Sequence, residues 1–127
     1  MASISYVEDG IRNTLKEVPK EKVIGGVPFY TRVWTDSASG TTSKAYGISD
    51  AKQWVQDNAV EMKWQDELGQ YYGENDGENG RQQIWMEEER SLELKIGVMK
   101  QNDLAGVACW KLGFEPAEIW AIIADMR

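Results

Sequence analysis

Val23-Ile24-Gly25-Gly26-Val27-Pro28-Phe29-Tyr30 is the stretch on which the fold turns. It is short, and no charged side chain interrupts it. A strand with one wet face alternates apolar with polar residues, whereas a strand apolar on both faces suits a parallel sheet covered by helices. Leu104-Ala105-Gly106-Val107-Ala108-Cys109-Trp110 has the same character. A helical stripe precedes each of the two. Val7, Ile11, Leu15 and Val18 step by four, four and three until Pro19 ends the pattern. Leu92, Ile96 and Met99, widened by Leu94 and Val98, repeat that spacing ahead of Asp103. Helix, short loop and buried strand make half of a repeating α/β unit, and the chain contains it twice.

A different texture separates the two copies. Thr35 to Lys44 is rich in Ser, Thr, Gly and Ala and reads as a surface loop. Ser49 is expected to cap a helix with apolar Ala51, Trp54, Val55 and Ala59. The period then drops towards two, at Met62 and Trp64, at Tyr71-Tyr72 and at Gln83-Ile84-Trp85-Met86. Glu74 to Gly80 holds Asp-Gly and Asn-Gly pairs, which are turn chemistry. One helix and about three antiparallel strands, from roughly Met62 to Met86, form a small α+β unit. After Leu112-Gly113-Phe114-Glu115-Pro116 a last helix is expected, with Ala117, Trp120, Ala121 and Ile123 facing inward. The expected fold is α/β, divided as 1–34, 35–86 and 87–127. Two parallel strands close no sheet, so the chain is expected to belong to a larger assembly or to self-associate as a homo-oligomer.

Composition removes several chemistries. The 127 residues contain no histidine and one cysteine, Cys109. Ser-His-Asp and Cys-His catalysis, imidazole zinc sites and an intrachain disulfide framework are excluded, and no metal or cofactor is expected. The net charge is −7, and residues 61–90 hold nine acids against three bases. Such a stretch repels phosphate backbones and anionic lipid, so neither nucleic acid nor membrane is an expected partner. Glu87-Glu88-Glu89 reads as acidic residues favoured at a helix N-terminus, not as an acid/base pair. The Asn75 to Gly80 run lacks the ligand spacing of a calcium loop.

Three stretches resemble the family 18 glycoside hydrolases, the chitinases and their bacterial cell-wall relatives. Val18-Pro19-Lys20-Glu21-Lys22-Val23 through Val27-Pro28-Phe29-Tyr30-Thr31-Arg32 is similar to the family's seventh barrel strand, commonly P-x-x-K-hydrophobic-x-x-G-hydrophobic-P-x-Y-G-R. Ile84-Trp85-Met86-Glu87-Glu88, with Ser91, Leu92 and Lys95, resembles the return from an insertion domain into the seventh helix. Leu104 to Trp110 resembles the eighth strand, which ends in a pocket tryptophan. Tyr-Thr-Arg and Gly-Phe-Glu look closer to the bacterial cell-wall and spore branch than to animal chitinases. The resemblance implies the last two strands of a (β/α)8 barrel, carrying a chitinase-type insertion. It also implies a parent that is extracellular or associated with cell wall or spore.

It further implies a polysaccharide containing N-acetylglucosamine or a similar N-acetylhexosamine as substrate. In this family the substrate's own N-acetyl oxygen attacks, and one glutamate protonates the leaving oxygen, an exception to the two-carboxylate scheme. That glutamate ends a D-x-x-D-x-D-x-E motif, which does not occur among these residues. No residue here is therefore assigned as catalytic, and the N-terminal barrel portion is an expected partner. The resemblance places Trp110 under a sugar ring and puts Tyr30 and Arg32 at the mouth of strand seven. Trp34 and Trp85 are weaker candidates for outer subsites. Trp54, Trp64 and Trp120 read as packing residues. Two alternatives stay open, a non-catalytic carbohydrate-binding module and a purely structural, self-associating piece.

Overall fold

The computed structural model describes residues 1–126. Its first helix, α1 (Ile4–Thr14), starts where the Ser3 hydroxyl accepts a hydrogen bond from the Tyr6 amide, satisfying one of the unpaired donors of a helix start. Ile11 is buried and Val7 and Leu15 pack beside it, so the stripe faces the core. Past the turn at Pro19 the chain enters β1 (Ile24–Pro28), then β2 (Tyr30–Ser37), β3 (Gly40–Gly47) and α2 (Ile48–Asp57). β4 (Lys63–Gln65), β5 (Gln70–Gly77) and β6 (Gly80–Met86) follow, then α3 (Glu89–Gln101), β7 (Gly106–Trp110) and α4 (Ile119–Ala124).

These strands make two sheets. β1 and β7 pair in parallel, from Ile24 opposite Gly106 to Pro28 opposite Trp110, which places the two apolar stretches side by side. The other five form an antiparallel sheet in the order β3-β2-β6-β5-β4. One core gathers Val27, Phe29, Leu92, Ile96, Met99 and Ile119 between the parallel pair and its helices. A second, of Val33, Val60, Ile84 and Met86, lies between the antiparallel sheet and α2, with Trp54, Val55 and Tyr71 packed against it. α3 is fixed at its start by a reciprocal cap: Glu88 accepts from the Ser91 amide at 2.8 Å, while Ser91 Oγ accepts from the Glu88 amide at 3.0 Å.

Four expectations are corrected. Residues 35–44 are not a loop: β2 and β3 pair from Tyr30–Gly47 to Ser37–Gly40, and only Ala38-Ser39 turns. Thr and Ser are good residues for an exposed edge strand, and their polarity hid the ladder. Tyr30 belongs to β2, because β1 stops at Pro28, so the antiparallel sheet has five strands and runs from Tyr30 to Met86. α2 is capped by Gly47 without a side-chain bond, leaving Ser49 inside the first turn. Trp120 is 42% exposed, although its ring meets Phe29 edge-on with centroids 5.9 Å apart.

Candidate functional site

Trp110 is the last residue of β7, and 68% of its surface is exposed. Its carbonyl accepts a hydrogen bond from the Phe29 amide at 2.7 Å. That bond ties the end of β7 to the point where the chain leaves β1 for β2. Side chains alternate along a strand, so Tyr30, Arg32 and Trp34 share one face of β2, while Thr31 and Val33 are buried on the other. Tyr30, Arg32 and Trp110 consequently line a single cleft of about 530 Å³, walled also by Gly26, Pro28 and Cys109. It lies at the C-terminal ends of the parallel strands. The peptide between Trp110 and Lys111 is cis.

Arg32 donates to Ser43 Oγ at 2.8 Å, which holds the guanidinium across β3. In the sheet Arg32 stands opposite Trp85. Trp34 and Trp85 do not reach the first cleft; they line a neighbouring hollow of about 280 Å³ with Leu68 and Gln70. Met1 borders both. The five expected site residues therefore fall into two adjoining hollows, joined through the Arg32–Trp85 pair. Trp54 and Trp64 are half-buried, Trp54 beside the second core and Trp64 under the Arg90 guanidinium at 3.8 Å. Cys109 is partly buried, and burial, with a smaller push from the Glu115 charge, raises its thiol pKa.

Sequence reasoning missed what lies beneath the hollows. Glu87 is buried, and Lys95 Nζ donates to both its carboxylate oxygens, at 2.5 and 2.8 Å. Gln70 Nε2 donates to the same carboxylate, and the Glu87 amide donates to Thr31 Oγ1 at 2.7 Å. All four residues are buried, so β2, β5, α3 and the link from β6 to α3 meet in one polar knot. Burial raises the Glu87 carboxyl pKa, and the charge and hydrogen bonds of Lys95, then Gln70, oppose the rise. A signal was available: Lys95 sits on the stripe of Leu92, Ile96 and Met99, where an ammonium must find a partner.

The arrangement offers an indole face, a phenol and a guanidinium around one opening. An aromatic face buries much area at little rotamer cost and suits the apolar face of a ring; phenol and guanidinium supply directed hydrogen bonds. The family model for glycosyl hydrolases family 18 matches residues 3–115. The cortical fragment-lytic enzyme of Bacillus subtilis strain 168 is 30% identical over 98% of this chain, which spans 30% of that relative's length. The Bacillus megaterium spore cortex-lytic enzyme SleL superposes with a TM-score of 0.86 at 28% identity, over 98% of this chain and 30% of its own. A chitinase from Chromobacterium violaceum shares the fold, with a TM-score of 0.88 at 20% identity, covering 98% of this chain and 38% of its own. With sequence and fold in agreement over nearly its whole length, the chain belongs to the glycosyl hydrolases family 18.

Proposed function

We propose that this chain supplies the sugar-binding wall of a hydrolase acting on N-acetylhexosamine polymers, chitin or peptidoglycan glycan, by substrate-assisted retaining hydrolysis. The observation that carries this reading is the convergence of Tyr30, Arg32 and Trp110 in one cleft at the ends of paired parallel strands, the end at which barrel enzymes of this type build their sites. Trp110 stacks under the sugar at the cleavage point, Arg32 donates to ring hydroxyls, and Tyr30 packs and donates from its phenol. Trp34 and Trp85 serve outer subsites. The proton donor of the reaction lies outside these 127 residues, because the D-x-x-D-x-D-x-E motif is absent from them. Residues 1–34 and 87–127 then form the barrel part and 35–86 the insert, with 30–34 shared: barrel strand by sequence, insert sheet by hydrogen bonding. Names of the related cortex-lytic enzymes support a setting in cell wall or spore.

Titrating the chain with N-acetylglucosamine oligomers tests the wall. Binding is expected, and Trp110→Ala is expected to weaken it by roughly tenfold or more, the loss of a well-stacked aromatic contact. Binding indifferent to that substitution would remove the proposed site. Incubation of the isolated chain with the same oligomers is expected to give background hydrolysis only, and a clear rate above background would overturn the placement of the proton donor elsewhere.

A further inference from the structure

The cleft is assembled from two parts of the chain. Trp110 ends β7 in the parallel pair, whereas Tyr30 and Arg32 stand on β2 in the five-stranded sheet. Where the indole, phenol and guanidinium sit relative to one another depends on how firmly the first stretch of β2 is fixed. One side of that stretch is laddered to β3 from Tyr30, opposite Gly47, onward. Its other side is laddered to β6 only from Arg32, opposite Trp85. Ahead of Arg32 the next tie to the parallel pair is the bond from the Phe29 amide to the Trp110 carbonyl.

Thr31 fills that gap. It lies between the two cleft residues in sequence, on the opposite face of β2, and is fully buried. Its hydroxyl oxygen accepts from the Glu87 amide at 2.7 Å, a side-chain bond placed where the main-chain ladder has stopped. Glu87 is itself anchored, because its carboxylate receives two bonds from Lys95 Nζ, at 2.5 and 2.8 Å, and one from Gln70 Nε2. Lys95 stands on α3, whose Leu92, Ile96 and Met99 share the first core with Val27 of β1, and Cys109 of β7 packs against the same core. The anchor therefore belongs to the part of the molecule that carries Trp110. On its other side Gln70 lines the hollow that holds Trp34 and Trp85. Apolar side chains of similar size would fill this space without the desolvation cost of two charges. What the charged pair adds is direction: a fully satisfied buried network admits one arrangement of the groups it joins.

We infer that Thr31, Glu87 and Lys95 are positioning residues for the sugar cleft: the buried Glu87–Lys95 pair, acting through the Glu87 amide and the Thr31 hydroxyl, sets Tyr30 and Arg32 at the distance from Trp110 that a sugar ring requires. None of the three touches the sugar. The inference rests on the proposed function and deepens it. A binding group held in advance loses less freedom when its ligand arrives, so loosening the knot lowers affinity even where the chain stays folded.

The test joins calorimetric titration with N-acetylglucosamine oligomers to guanidinium unfolding of the same variants. Thr31→Val keeps the side-chain shape and removes the acceptor, and is expected to weaken binding by the folded chain roughly five- to tenfold. Thr31→Ser returns the acceptor and is expected to return most of the affinity. Glu87→Gln combined with Lys95→Met leaves Thr31 in place but removes the anchor, and is expected to weaken binding by a similar factor. Gly40→Ala, strained at the tip of the β2–β3 hairpin, is expected to lose stability and keep the wild-type affinity, which separates positioning from stability. Should Thr31→Val not fold, Thr31→Ala, which leaves room for a water on the Glu87 amide, carries the same comparison. An affinity unmoved in Thr31→Val or in the double variant, an equal loss in Thr31→Val and Thr31→Ser, or a matching loss in Gly40→Ala overturns the positioning role and leaves the cleft standing. A wild-type chain that binds no oligomer overturns the cleft and its positioning together.

Discussion

Lys95 places an ammonium where its helix keeps side chains for the core, 2% exposed and facing a fully buried Glu87. Two buried charges survive only as a pair with their remaining hydrogen bonds satisfied, and Gln70 adds a donor to the Glu87 carboxylate while Thr31 accepts from the Glu87 main-chain amide. Lys95→Met alone should therefore cost roughly 3–5 kcal/mol, because it leaves a buried carboxylate without its counter-charge. Lys95→Met combined with Glu87→Gln removes both charges and should cost much less; guanidinium unfolding of the two variants measures the difference. The pH dependence follows from the raised Glu87 pKa. A carboxyl whose folded pKa lies above its unfolded value of about 4.3 stabilises the fold while protonated. That contribution is complete below the unfolded value and is lost as pH rises through the folded one. Wild-type stability relative to the double variant should decline across that window. An increase would mean that Lys95 overrides burial.

At the scale of elements, apolar segments were legible and polar ones were not. The parallel pair and the stripes of α1 and α3 could be read because burial forces a pattern on them. β3 escaped because it is an edge strand whose residues are exposed as far as Ala45, so no core imposes alternation. The turn between β5 and β6 was readable from its glycines, but its packing was not. Gly80 has φ +137°, and a Cβ there would lie 2.0 Å from the Asp36 carbonyl oxygen in β2. Gly40 has φ +118° with open space around it. Gly40→Ala should cost about 1 kcal/mol of backbone strain. Gly80→Ala meets that strain together with a clash against main chain that cannot rotate away, and should cost clearly more. Thermal melts of the two variants give the order, and equal losses would show that the neighbouring hairpin yields freely.

At the scale of the molecule, Tyr30, Arg32 and Trp110 could be named together from sequence because the resemblance to the family 18 glycoside hydrolases puts all three at the sugar-binding end of the barrel strands. Trp34 and Trp85 were set apart from them as outer-subsite candidates, but the hollow they share could not be read, since it is made by the antiparallel register of β2 and β6. The parallel sheet leaves a larger consequence. Among the described residues β1 pairs with β7 alone, so each strand keeps an unpaired edge, and Ile24 and Leu112 are 62% and 72% exposed nearby in sequence. Free edges beside exposed apolar side chains are sites of association. A second copy of the chain can cover them, and a closed dimer is the simplest arrangement. The net charge of −7 opposes that contact, and salt screens such repulsion, with a Debye length of about 10 Å at 0.1 M and about 3 Å at 1 M. Self-association of the isolated chain should therefore strengthen as salt is raised, and Ile24→Ser with Leu112→Ser should weaken it at every salt concentration. Sedimentation equilibrium decides the matter: the mass of a single chain throughout, at high salt as at low, would show that these edges are tolerated bare.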